Sequence, residues 1–149
     1  MENIVKERTY EGKWTLRVSL VVVDRDGDKD PLGLPALLGL ENEKRFRKGD
    51  PIGRAGSRTH ATTGFRFTQY HGSEGDPNEH IAALVARLKE SPNREMLLAY
   101  KPELAVTLKM HGGTPAMDFS PELMRDIADL GLTVDFDLYN WAEIDVTSS

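Results

Sequence analysis

The sequence predicts an α+β domain in which helices pack on one face of a mostly antiparallel, four-stranded sheet. Three observations predict it. Four stretches alternate apolar and polar residues with a period of two, helix-start signals stand between them, and each stretch keeps one polar side. Strands of a parallel sheet covered on both sides would be apolar throughout, so a sheet left open on one side fits better.

The first strand is expected over Leu16 to Val23, with Leu16, Val18, Leu20 and Val22 facing the core and Arg17 and Ser19 facing away. Pro31 to Leu40 is apolar but interrupted by Gly33, Pro35 and Gly39, which leaves room only for a short helix starting near Pro35. The second strand, Gly64 to Tyr70, turns Phe65 and Phe67 inward and Arg66, Thr68 and Tyr70 outward. Asp76-Pro77-Asn78-Glu79 then supplies an N-cap, a proline at the first helical position and an early glutamate, followed by the stripe Ile81, Leu84, Val85 and Leu88. Ser91-Pro92 breaks that helix, and Met96 to Tyr100 adds a short piece before Pro102.

The third strand, Leu104 to Met110, places Leu104, Val106, Leu108 and Met110 inward, with Thr107 and Lys109 opposite. Ser120 caps the next helix, Pro121 opens it, Phe119 and Met124 are spaced for a hydrophobic staple, and Gly131 stops it. Its buried face is Leu123, Ile127 and Leu130. The last strand, Thr133 to Tyr139, turns Val134, Phe136 and Leu138 inward and Asp135, Asp137 and Tyr139 outward. Leu16 to Tyr70 and Leu104 to Tyr139 each read as strand, helix, strand, so two degenerate strand-helix-strand units of ferredoxin-like flavour are expected.

At 149 residues the chain, 1–149, is read as one domain with its core over about 13–140. It contains no cysteine, which removes disulfides and thiolate chemistry and suits a reducing compartment. No segment reads as a signal peptide or as the roughly 20 apolar residues of a membrane span, so a soluble, cytoplasmic protein with no membrane partner is expected. The net charge of -5 disfavours general nucleic-acid binding. The charges are segregated, with Arg45, Arg47, Lys48, Arg54 and Arg58 in one basic stretch and an acidic run from Asp118 onward.

Leu37-Leu38-Gly39-Leu40 with Arg47-Lys48-Gly49-Asp50, then Phe119-Ser120-Pro121-Glu122-Leu123, then Leu130-Gly131-Leu132 leading to Phe136-Asp137-Leu138-Tyr139, resemble the bacterial family called domain of unknown function 4279. The likeness runs from about Thr15 to Tyr139. Glu41-Asn42-Glu43 stands where that family typically has a proline-threonine pair. The resemblance implies a small single domain and no particular activity.

The motifs that carry chemistry elsewhere are incomplete here. Asp24 to Asp30 alternates carboxylates as a calcium loop does, but the sixth and twelfth positions hold Lys29 and Pro35 rather than glycine and glutamate. A solvated turn is expected instead. Lys48 precedes Gly49 with no Ser or Thr after it, so the basic stretch is not a P-loop. His71, Glu74, Asp76, Glu79 and His80 lack a metal-binding spacing, and His111-Gly112-Gly113 lacks the nucleophile elbow that accompanies an oxyanion loop. No catalytic residue, metal or cofactor is assigned.

The leading expectation is therefore a non-catalytic protein-binding module, with a neutralising partner of the immunity kind as one form of it. Its contact surface would be the polar sheet face carrying Arg17, Arg66, Tyr70, Lys109, Asp135, Asp137 and Tyr139, binding another protein or a second copy of itself. The alternative expectation is a sensor or enzyme for a phosphate or nucleotide ligand, held by Arg45, Arg47, Lys48, Arg54 and Arg58.

Overall fold

A computed structural model of the chain describes residues 14–53 and 58–140. The long strands are β1 (Trp14–Val23), β5 (Gly64–Gly72), β6 (Glu103–Met110) and β7 (Thr133–Asn140). Short strands β2 (Lys44–Phe46), β3 (Pro51–Ile52) and β4 (Arg58–Thr59) lie between β1 and β5, after a 3-10 turn at Pro31–Gly33 and the helix α1 (Leu34–Leu37). The remaining helices are α2 (Pro77–Lys89), a 3-10 stretch at Arg94–Tyr100 and α3 (Pro121–Asp129).

The fold is α+β. Five strands form one sheet in the order β2-β5-β1-β6-β7, and β3 and β4 form a separate small ribbon. All neighbours in the large sheet run antiparallel except β6 and β7, which run parallel through α3. In a split β-α-β unit another strand lies between the two parallel strands, whereas β6 and β7 are direct neighbours. The first strand-helix-strand stretch closes as the antiparallel pair β1 and β5, and the second as a parallel crossover.

The helix caps form as the residues dictate. Asp76 accepts the amide of Asn78 at 2.9 Å to start α2, and Ser120 accepts that of Leu123 at 3.1 Å to start α3. Both helices open on proline. Gly131 ends the second with φ of 71°, the left-handed conformation that glycine takes freely. Phe119, just before the cap, meets Phe136 at 6.1 Å between ring centroids, and Met124 is half-exposed.

The core lies between the sheet and α2, α3 and the 3-10 stretch. Leu16, Val18, Leu20, Val22, Phe65, Phe67, Val106 and Leu108 are buried there against Ile81, Leu84, Val85, Leu88 and Leu97. Burial of this kind is worth about 1.5–3 kcal/mol for each large apolar side chain. Phe136 and Leu138 belong to the same alternation but are 47% and 58% exposed, which corrects the core expected from sequence. The reason is position: β7 is an edge strand, and only Val134, at its beginning, packs partly against the core. No helix among the described residues is long and apolar enough to cross a membrane.

Candidate functional site

The face of the sheet opposite the helices stays polar, and strand register decides which side chains meet on it. One row across four strands reads His71, Arg17, Thr107, Asp137. The next row reads Thr15, Lys109, Tyr139. These seven residues line one depression of about 360 Å³. On its other side the rows continue as Thr68, Ser19, Ala105, Asp135 and then Lys44, Arg66, Val21, Glu103, Thr133.

Of the residues expected on this face, Arg17, Lys109, Asp137 and Tyr139 come together in the depression, with Arg66 and Asp135 in the adjoining rows. Tyr70 does not. Between Val18 and Ser19 the pairing with β5 slips by one residue, so Val18 opposes Tyr70 while Ser19 opposes Thr68, and Gln69 is the extra residue of a bulge. A one-residue slip exchanges the two faces of a strand. Tyr70 is thereby turned to the helix side, where its ring stacks on His80 of α2, and His71 takes the polar side.

Ser19, in the middle of this face, is fully buried and shares a hydrogen bond of 3.0 Å with Thr68. Arg17 and Arg66 stand one row to either side of it. Both guanidinium groups are half-buried, and Arg17 Nε and Arg66 Nη1 are shut off from solvent without a hydrogen-bond partner among the described residues. Burial holds the Arg66 guanidinium below the ordinary arginine value, the charge of Arg17 pushes it the same way, and Glu103 opposes both. Glu103 is itself paired with Arg25. Tyr139 donates its hydroxyl to Asp137 at 2.9 Å, and that bond raises the phenol above the usual tyrosine range.

The basic stretch is arranged differently. Arg45 pairs with Glu43 at 2.7 Å and holds that carboxyl below its ordinary value. Arg47 lines a shallow hollow with Asp24, Asp28 and Asp30, and Lys48 lines another with Asp24 and Asp26. Arg58 is exposed on the small ribbon, while Arg54 lies outside the described residues. Arg47 and Lys48 thus lie beside the acidic turn, and Arg45 is taken up by Glu43. That turn also uses its carboxylates on backbone: Asp24 accepts the amides of Gly27 at 2.9 Å and Lys29 at 3.2 Å, and Asp30 accepts that of Leu32 at 3.0 Å.

The histidines are dispersed. His80 lies against Tyr70, His60 stacks on Phe46 at 4.5 Å, and His71 sits on the far side of the sheet from His80. No group of three or more metal-ligating side chains occurs among the described residues.

His71 and Thr15 enter the depression without having been assigned to the polar face from the sequence, where His71 was weighed only as a metal ligand. Thr107 was legible as a polar-face residue of its strand, and Thr15 lies just before the first alternating run. His71 carried no local signal, because its side depends on the bulge.

No curated protein and no solved structure matches this chain. Residues 13–141 match the family model described as a domain of unknown function (DUF4279), and over this span, which covers most of its length, the chain belongs to that family.

Proposed function

We propose that this chain is a cytoplasmic, non-catalytic protein-binding module, and that the polar sheet face is its contact surface. The observation that carries the reading is the depression in which Arg17, His71, Lys109, Asp137 and Tyr139 converge from four strands. Arginine and tyrosine are favoured anchors in protein interfaces, because each offers a large contact area with directional hydrogen bonds. A sheet also holds such groups more rigidly than a loop does, so less conformational entropy is lost on association.

Photo-crosslinking separates this face from the rest of the molecule. A photoreactive amino acid at Thr107, inside the depression, is expected to give a discrete protein adduct in the cells that make the chain. The same amino acid at Glu95, on the helix side, is expected to give none. Adducts from Glu95 but not from Thr107 overturn the reading. With the Thr107 probe, Arg17→Ala combined with Tyr139→Ala is expected to abolish the adduct while the circular dichroism spectrum stays unchanged.

A further inference from the structure

The two arginines beside Ser19 have an unusual environment. They belong to different strands, Arg17 on β1 and Arg66 on β5, and each is separated by one row from the buried Ser19 between them. Arg17 Nε and Arg66 Nη1 are both removed from water with no hydrogen-bond acceptor among the described residues. A buried donor left unsatisfied is costly, and more so when it is charged. Two like charges that add to each other's cost need a third group to offset it. The carboxylates on the same face are Glu103, engaged by Arg25, and Asp135 and Asp137 at the rim on β7, while Lys44, His71 and Lys109 share its rows. None of these carboxylates bonds to Arg17 or Arg66.

We propose that the Arg17 and Arg66 guanidinium groups form a subsite for one carboxylate, supplied by an acidic side chain of the bound protein. The inference deepens the binding reading above and rests on it. A guanidinium presents parallel N–H donors that match the two oxygens of a carboxylate, so an incoming carboxylate that meets the solvent-accessible part of the two half-buried side chains offsets the repulsion between the arginines. Asp135 and Asp137 favour a singly charged carboxylate over a doubly charged phosphate, which they would repel more strongly.

The test uses the full chain labelled with nitrogen-15 and follows the side-chain Nε–Hε resonances of Arg17 and Arg66. Three probes are titrated at constant ionic strength: the blocked tripeptide acetyl-Gly-Glu-Gly-amide, its glutamine analogue, and inorganic phosphate. The glutamate peptide is expected to shift both resonances saturably, and the glutamine analogue to leave them in place. Arg17→Gln and Arg66→Gln are each expected to weaken binding by about tenfold, equivalent to 1.4 kcal/mol. The control, Arg45→Gln with Lys48→Gln, is expected to bind as the unaltered chain does.

Equal shifts from the glutamine analogue overturn the proposal. So do binding of phosphate without the glutamate peptide, and undiminished binding by both arginine variants. Arg66→Lys guards against a folding defect, since it keeps the charge but loses the forked donors, and unchanged affinity there also overturns the subsite. The two readings fail separately. Binding of the glutamate peptide without a Thr107 adduct removes the protein partner and keeps the subsite, whereas an adduct without peptide binding does the reverse.

Discussion

Tyr70 lies flat against His80, with ring centroids 3.5 Å apart and planes within 8° of parallel. The phenol oxygen accepts the Glu74 amide at 2.8 Å and donates to the Glu74 carbonyl at 3.0 Å, while His80 Nε2 shares that carbonyl at 2.8 Å. One aromatic pair therefore ties the end of β5 to the first turn of α2. It does so only because the bulge at Gln69 delivers Tyr70 to the helix side.

Tyr70→Phe keeps the ring and removes both hydrogen bonds of the hydroxyl. It is expected to lower stability by about 1 to 2 kcal/mol, read from the midpoint of urea unfolding. Gly72→Ala attacks the same knot from the other side, because a Cβ on Gly72 would stand 2.6 Å from the Tyr70 hydroxyl oxygen. It is expected to destabilise at least as much. An unchanged midpoint in both variants would mean that the hydroxyl does not anchor this connection.

The exposure of β7 makes a second pair of substitutions diagnostic. Leu108 and Leu138 are cross-strand partners on the same side of the sheet, yet the first is buried and the second is open to solvent. Leu108→Ala is expected to cost about 2–5 kcal/mol, as large-to-small changes in a filled core do. Leu138→Ala is expected to stay within about 0.5 kcal/mol, in keeping with a surface position. Equal losses would show that the edge strand is covered in solution.

What was legible in the sequence follows from the range of each signal. Alternation and capping are local, so the four long strands and the starts of α2 and α3 could be read from neighbouring residues. Lys44–Phe46 was too short and too polar to show a period, and it is held in place by pairing with β5. The exposure of Phe136 was not legible, because alternation tells which side a residue takes and not whether a helix lies over it. The polar face was correct for Arg17, Arg66, Lys109, Asp135, Asp137 and Tyr139, but it failed at Tyr70. A bulge is a property of two paired strands, and Gln69 carries no glycine signature to announce it.

Gly131 and Gly33 predict opposite responses to the same change. Gly131 has φ of 71°, and a Cβ there would come within 2.7 Å of Leu98 Cδ2. Gly131→Ala is thus expected to cost about 1–3 kcal/mol of backbone strain. Gly33 has φ of -85°, and nothing lies within 4 Å of its missing Cβ. Gly33→Ala restricts the unfolded chain without clash and is expected to add about 0.4–1 kcal/mol. Thermal unfolding of the two variants side by side checks both signs.

Tyr139 and Asp137 predict how the sheet face responds to alkali. The hydrogen bond from the Tyr139 hydroxyl to Asp137 raises the phenol above its ordinary value of 10.0, the negative charge of Asp137 adds to this, and Arg17 pulls weakly the other way. Folding therefore favours the neutral phenol. The resulting stabilisation is fully present below the unfolded value and is lost as pH rises through the raised folded value. Phenolate absorbance, taken as the difference between the unaltered chain and Tyr139→Phe, isolates this residue from the other tyrosines. Asp137→Asn replaces the charged acceptor by a neutral amide and is expected to move the Tyr139 titration down toward the ordinary range. Arg17→Gln is expected to move it slightly up. If Asp137→Asn left the titration where it was, the hydroxyl would not be bonded to that carboxylate in solution. The row that joins β6 to β7 in the depression would then lack its fixed tyrosine.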